Sequence, residues 1–139
     1  MDGKTSIDAP SSAAAMFFSV LPKVQCEERV FVLPLDGSGR ALAKPIFVAV
    51  GHVDGTVAID AGAIFREALK AGAEEIIVAH NHPSGDIAPS KADIAATKKL
   101  REAGELLSVP LLDHLVLGKA AAGDGGPPRF VSLAERGGI

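Results

Sequence analysis

Short, almost wholly apolar runs alternate along the chain with segments whose apolar residues recur every three or four positions. Apolar runs of this length, bounded by turn residues, predict buried β-strands, whereas the longer period predicts helices. The predicted strands cover 28–36, 46–51, 56–59, 74–80, 110–118 and 129–134, and the predicted helices cover 61–73 and 90–105. Strands that alternate with helices favour an α/β or α+β fold around one sheet.

The length and composition of the chain fit one domain with an aliphatic core. The chain has 139 residues, of which 47% are hydrophobic, and it contains six Phe but no Trp or Tyr. That length is typical of a single domain, and the apolar share is large enough to form a core. The residues before the first predicted strand contain a short helix, which we expect to be capped near Ser11 or Ser12.

The net charge and the lengths of the apolar runs argue against nucleic acid and membranes as partners. The net charge is −3 and the pI about 5.8, whereas a protein that binds duplex DNA usually has a basic surplus. The apolar run AAAMFFSVL has nine residues, whereas a membrane-spanning helix needs about 20. The single cysteine, Cys26, cannot form an internal disulfide, as is typical of a reducing compartment. We therefore expect a cytoplasmic protein that uses neither a membrane nor nucleic acid as its main partner.

The sequence AHNHPSGDIAPSKAD, residues 79–93, carries two histidines, a serine and an aspartate where a predicted strand passes through a loop into a helix. Residues i and i+2 of a strand point to the same side, so the imidazoles of His80 and His82 can converge just beyond the sheet. Asp93 falls in the first turn of the helix, and the loop is long enough to fold that helix back over the strand end. Two imidazoles and a carboxylate suit Zn²⁺, with a fourth position for water.

Ser90 and Asp93 also have a purely structural interpretation. The sequence SKAD matches a capping box, in which Ser90 is the N-cap and Asp93 the N3 residue. Taken alone, these two residues are better explained as caps than as catalytic groups, and a single His-x-His pair is weak support for a metal. Both interpretations can hold for Ser90, because its backbone can begin the helix while its hydroxyl faces the site.

The joint pattern is much more specific than its parts. His80-x-His82, seven residues, Ser90, two residues and Asp93 together resemble the signature of the JAMM (JAB/MPN) metalloproteases. The resemblance implies that the two histidines and the aspartate bind zinc, and that Ser90 helps to hold the water or the oxyanion. Asn81 stands where many members of the family have Ser or Thr. We expect its side chain to point away from the metal and to have no part in the chemistry.

Longer stretches resemble the bacterial RadC branch of this family, namely AHNHPSGD, the residues from Pro89 to Gly104, LLDHLVLG and FVSLAERG. The likeness covers 28–137 and implies an α/β (α+β) fold, with a single mixed sheet flanked by helices in the sandwich that MPN domains share with cytidine deaminases. Residues 1–27 then form an N-terminal segment with a short helix. RadC proteins usually carry a helix-hairpin-helix segment before this domain. We find none in these 27 residues, which weakens the expectation of a role in DNA repair.

A glutamate from an early strand is the general base in active members of the family. Glu27 and Glu28 both stand at the start of the first predicted strand, and alignment of ERVFVLPLD with the family pattern favours Glu28. Taken alone, Glu28 would be a solvated charge at a strand end. The resemblance implies amide hydrolysis with Glu28 as the base and Ser90 as a donor to the oxyanion.

The family resemblance also implies a protein substrate, cut at the C-terminal tail of a ubiquitin-like modifier. An extended tail can bind as an added strand, and we expect its last residues to be small because the loops 51–56 and 81–89 flank the approach. Two alternatives stay open: a nucleic-acid-associated RadC-type module and a non-catalytic MPN scaffold. The first is supported by basic residues on one predicted helix, Lys91, Lys98, Lys99 and Arg101. The oligomeric state is also open.

The remaining polar residues of interest are less specific. His114 lies inside an apolar run, and we interpret it as a core histidine or one that supports a metal ligand. His52 is best explained as a loop histidine. Ser84 and Asp86 lie in the loop between the two metal-binding segments, and we expect them to shape that loop.

Overall fold

The structure, a computed structural model, describes residues 5–22, 27–51, 59–119 and 129–139. The helices are α1 (Pro10–Val20), α2 (Ala61–Lys70) and α3 (Lys91–Leu107), and the strands are β1 (Arg29–Leu35), β2 (Ile46–Val50), β3 (Glu75–Asn81), β4 (Leu111–Leu117) and β5 (Phe130–Ser132). Cys26 and His52 lie outside the described residues. So do most of the strand predicted at 56–59 and of the loop 51–56 that was expected to flank the site.

The five named strands form one mixed sheet in the order β2-β1-β3-β4-β5. β1 is antiparallel to both β2 and β3, β3 is parallel to β4, and β4 is antiparallel to β5. α1 packs on one face of the sheet, and α2 and α3 pack on the other. The predicted class, a single mixed sheet flanked by helices in an α+β sandwich, is confirmed.

Alternate residues of the central strands face opposite sides of the sheet, as the pleat of a strand requires. In β1 and β3 the odd-numbered core residues pack with α1, whereas Val30, Val32, Ile76 and Val78 pack with α2 and α3. Glu28 and His80 continue this even-numbered series by steps of two. Both therefore project from the face of the sheet that α3 covers.

The N-terminal helix begins earlier than predicted. Its first residue is Pro10 and its N-cap is Ala9, so that Ser11 and Ser12 lie within the first turn. Proline suits this position because its φ is already helical and because an N–H here would have no partner within the helix. Phe17 is fully buried against the sheet, so α1 is part of the core. None of the described helices is long and apolar enough to cross a membrane.

The buried face of α3 carries Asp93, Thr97, Leu100 and Gly104, spaced by three or four residues. A Cβ at Gly104 would lie 2.6 Å from the backbone oxygen of Val109, so a glycine is needed for the close approach of α3 to the chain that leads into β4. The first half of this buried face is polar. It lies over the C-terminal end of β3, where His80 projects.

Candidate metal centre

Four ionisable side chains meet between the end of β3, the start of α3 and the residue before β1. Nε2 of His80 lies 3.1 Å from Nε2 of His82 and 3.1 Å from Oδ1 of Asp93. Nε2 of His82 lies 3.4 Å from Oδ2 of Asp93. Oε1 of Glu28 lies 3.9 Å from Nε2 of His80 and 3.6 Å from Nε2 of His82. The structure thus brings together four of the five predicted site residues.

This cluster is largely withdrawn from water. His80 is fully buried, Asp93 is 6% exposed and Glu28 is 9% exposed, while the side chain of His82 is 17% exposed. Ionisable groups in such a place are stable only when they are paired, hydrogen-bonded or bound to a metal. The partners of each group therefore decide what the cluster can do.

A backbone contact decides which ring nitrogen of His82 carries a hydrogen. Nδ1 of His82 lies 2.7 Å from the backbone oxygen of Asp86. A carbonyl oxygen can only accept, so the hydrogen is on Nδ1. When this ring is neutral, its Nε2 therefore directs a lone pair into the cluster.

A chain of hydrogen bonds through Thr97 and His114 decides which ring nitrogen of His80 carries a hydrogen. The Thr97 hydroxyl donates to the backbone oxygen of Asp93 at 2.8 Å and lies 2.6 Å from Nδ1 of His114. Because the hydroxyl has one hydrogen, it must accept from His114, whose Nε2 then accepts from Nδ1 of His80 at 2.9 Å. Burial lowers the pKa of His114 to about 3, so its ring is neutral as this chain requires. Nδ1 of His80 therefore carries a hydrogen, and a neutral His80 ring also directs a lone pair from Nε2 into the cluster.

Two lone pairs facing each other at 3.1 Å beside two carboxylates require a positive charge between them. A proton is one solution, and the pKa of His82 is raised, first by its hydrogen bond to Asp93. A metal ion is the other solution. Ligand atoms about 2.0–2.1 Å from a tetrahedral zinc ion lie about 3.3–3.4 Å from one another. The two imidazole nitrogens are 3.1 Å apart, close to this spacing. The Asp93 carboxylate contacts both of them, His80 through Oδ1 at 3.1 Å and His82 through Oδ2 at 3.4 Å, so its donor type and position suit such an ion.

The first carboxylate, Asp93, is held in the ionised form that a metal ligand needs. Its Oδ2 accepts from the backbone N–H of Ser90 at 2.8 Å. Burial alone would raise the pKa of Asp93. When the imidazoles are protonated, hydrogen bonds from His80 and His82 outweigh burial and hold that pKa well below its usual range.

The second carboxylate, Glu28, is better suited to exchange protons. Burial raises the pKa of Glu28 above its usual value, although the two histidines oppose this. The contacts of Glu28 with the two imidazoles, 3.6 and 3.9 Å, are longer than the contacts among His80, His82 and Asp93. Glu28 therefore lies beside these three candidate ligands. An alternative geometry is also open, because the ligand atoms of Glu28, His80 and His82 lie within 4.8 Å of one another and could hold an ion directly.

Ser90, the fifth predicted residue, is the N-cap of α3. Its hydroxyl oxygen accepts from the backbone N–H of Asp93 at 3.1 Å, and its own N–H donates to Asp93, which completes the predicted capping box. Because the hydroxyl accepts in this contact, its hydrogen is left for another acceptor. Ser90 thus orients Asp93, and its contact with an oxyanion stays a prediction.

The loop between β3 and α3 holds the His82 ring in place through its backbone. Gly85 has a φ of +86°, a conformation that favours glycine, and its N–H donates to the backbone oxygen of His82 at 2.9 Å. The Asp86 carboxylate accepts from the N–H of Ala88 at 3.0 Å, and the Ser84 hydroxyl accepts from the N–H of Asp86 at 3.2 Å. Ser84 and Asp86 therefore shape this loop.

Thr97 links Asp93 to His114, a contact that the sequence alone did not indicate. The available signal was its distance of four residues from Asp93, which puts both on one helix face. We expect Thr97→Val to weaken zinc binding by about 10- to 100-fold, the usual effect of losing a group that orients a ligand. Valine keeps the shape but can neither donate to Asp93 nor accept from His114.

Competition with a chromophoric zinc chelator measures this change in affinity. Thr97→Ser keeps the hydroxyl and is the matched control, which we expect to bind zinc nearly as tightly as the unaltered protein. Equal affinities for the valine variant and the unaltered protein would contradict the hydrogen-bond chain through His114.

The sequence is similar to one protein family along nearly its whole length. A family model described as a RadC-like JAB domain matches residues 7–138. A UPF0758 protein of Thermosynechococcus vestitus is 44% identical over 115 residues, which are 83% of this chain and 45% of that protein. A UPF0758 protein of Staphylococcus epidermidis is 35% identical over 134 residues, 96% of this chain and 54% of that protein. The chain therefore spans about half the length of these curated relatives, and the family match over 7–138 shows that it belongs to the RadC-like JAB domain family.

Proposed function

We propose that the protein is a zinc-dependent peptidase or isopeptidase that hydrolyses an amide bond at the C-terminal tail of a protein, such as a ubiquitin-like modifier. The observation that carries the proposal is the pair of imidazole Nε2 atoms that lie 3.1 Å apart beside two carboxylates. Such a buried arrangement attracts a divalent cation. The resemblance to the JAMM signature supports the reaction class.

His80, His82 and Asp93 are the residues that would hold the zinc ion. When bound, zinc supplies a Lewis acid that lowers the pKa of water toward about 7 and polarises a carbonyl group. Side chains of the protein supply the proton transfers and the contact with the carbonyl oxygen. Glu28, whose pKa is raised by burial, takes a proton from the attacking water and later gives it to the leaving amine. The Ser90 hydroxyl has a hydrogen to donate to the carbonyl oxygen as that oxygen gains charge.

An extended substrate tail has a suitable edge on which to bind. Among the strands that the structure describes, β2 lies at the edge of the sheet and neighbours β1, which begins one residue after Glu28. The backbone groups of an edge strand can pair with an added peptide strand. Phe47 and Val50 of β2 are 48% and 46% exposed, so this edge also offers apolar contacts to a peptide.

A ubiquitin-like protein fused through its C-terminal tail to a reporter is the substrate that tests the proposal. We expect the zinc-loaded protein to release the reporter when Gly or Ala precedes the cut bond. Val or Ile at that position should lower kcat/KM far more than the same change several residues upstream. The reason is that the cluster residues Glu28 and Asp93 are 9% and 6% exposed, so the approach to them is narrow.

Two results would decide against this proposal. Equal tolerance of Val at both positions would favour a general metallopeptidase without a preference for slim tails. Failure to cleave any fusion, together with duplex DNA binding that weakens steeply as salt rises, would favour the nucleic-acid-associated alternative.

A further inference from the structure

The proposed base, Glu28, stands just outside the regular sheet. β1 begins at Arg29, and the last Cα pair of the β1–β3 ladder on this side joins Val30 to His80. A carboxylate that must meet a water molecule at one point needs its backbone held in place. Because the β1–β3 pairing ends at Val30, it does not hold the backbone of Glu28 from the β3 side.

The side chain of Asn81 continues the pairing where the ladder stops. Its Oδ1 accepts from the backbone N–H of Arg29 at 2.7 Å, and its Nδ2 donates to the backbone oxygen of Glu27 at 3.1 Å. An N–H can only donate and a carbonyl oxygen can only accept, so these partners leave one orientation for the amide. Asn81 is 1% exposed, which shields both bonds from competing water.

These two hydrogen bonds hold the peptide groups on both sides of Glu28. On the other side of β1, the backbone oxygen of Glu28 itself accepts from the N–H of Gly51 at 2.7 Å. The peptide groups before and after Glu28 are therefore held from β3 by one side chain and from the β2 side by the main chain. What remains adjustable is the side chain of Glu28.

We infer that Asn81 is a positioning residue for Glu28, acting as a peptide-like clamp on residues 27 and 29. The inference rests on the proposed function, in which Glu28 is the base. It also replaces the expectation that Asn81 has no part in the chemistry. The Asn81 amide contacts the backbone beside β1 and not the candidate metal ligands, and in this position it places the base. A Ser or Thr hydroxyl at this position has one hydrogen and a shorter reach, so it cannot span both peptide groups.

Asn81→Ala and Asn81→Asp test the clamp. Aspartate has the same shape and still accepts from Arg29, but in its ionised form it cannot donate to Glu27, so it is the second variant to use if alanine does not fold. We expect both variants to bind a full equivalent of zinc and to lose about 10²-fold in kcat, as a displacement of about 1 Å causes, with KM nearly unchanged. Ser38→Ala, which removes a hydrogen bond to Asp36 just beyond the end of β1 opposite to Glu28, is the control and should keep its activity.

A second readout does not depend on activity. In Asn81→Ala the amide of Arg29 loses its acceptor, so its hydrogen exchange should become faster, while the amides of Ile77 and Val78 in β3 keep their protection. Unchanged exchange at Arg29 would overturn the clamp itself. Faster exchange with an unchanged kcat would overturn its role in placing Glu28.

The double variant Glu28→Ala/Asn81→Ala separates a clamp on Glu28 from a general effect on the site. If Asn81 acts through Glu28, the double variant should be no slower than Glu28→Ala alone, because coupled changes do not add. A further loss of 10²-fold would overturn the inference. If the unaltered protein cleaves no fusion, the proposed function and the positioning role both fail, and the exchange at Arg29 still reports on whether the clamp exists.

Discussion

Glu28→Ala should abolish amide hydrolysis while the protein keeps its zinc and its fold. The loss of a general base typically lowers the rate by about 10²- to 10⁴-fold, and here one residue both takes the proton from water and returns it to the leaving amine. Glu28 is 9% exposed, so bulk water cannot easily replace it. Single-turnover cleavage of the reporter fusion measures the effect, and metal analysis of the same sample shows whether zinc is retained.

Glu27→Gln is the matched control for this result. The Glu27 carboxylate lies 3.7 Å from Arg29 and is 47% exposed, so its removal should leave the rate nearly unchanged. Cleavage by Glu28→Ala at the full rate would show that another group carries the proton. Loss of zinc from Glu28→Ala would instead favour the alternative geometry, in which Glu28 binds the ion directly.

His82→Ala should remove the bound zinc ion. The imidazole of His82 contributes one of the two lone pairs that face each other at 3.1 Å, and the remaining His80 and Asp93 leave too few ligands for a stable site. Elemental analysis after zinc loading and desalting should fall from one equivalent to well below one. Retention of a full equivalent would contradict the ligand assignment.

A neighbouring variant controls for damage to the loop. Asp86 holds the His82 ring through its backbone oxygen, so Asp86→Asn keeps that contact and should keep the metal. Circular dichroism of the His82→Ala protein should remain close to that of the unaltered protein, because the apolar clusters on both faces of the sheet do not involve this histidine.

Local patterns in the sequence were enough to predict the elements that carry the site. The apolar run that became β3 and the helical period that became α3 are properties of neighbouring residues. The convergence of His80 and His82 follows from strand alternation over two residues. The capping box of Ser90 and Asp93 depends on a separation of three residues.

Contacts between distant parts of the chain were decided only by the tertiary structure. His80 and His114 are 34 residues apart, and Asn81 and Arg29 are 52 apart, so no local pattern relates them. The register of β1 against β3 depends on burying both faces of the sheet at once, and a slip of one residue would turn Glu28 away from His80. By itself, the sequence determined the spacing of the candidate metal ligands His80, His82 and Asp93. Strand register and the packing of α3 decided which imidazole nitrogens face the cluster. They also decided which side chain holds the backbone around Glu28. The reason is that these contacts join distant parts of the chain and exist only once the sheet has formed.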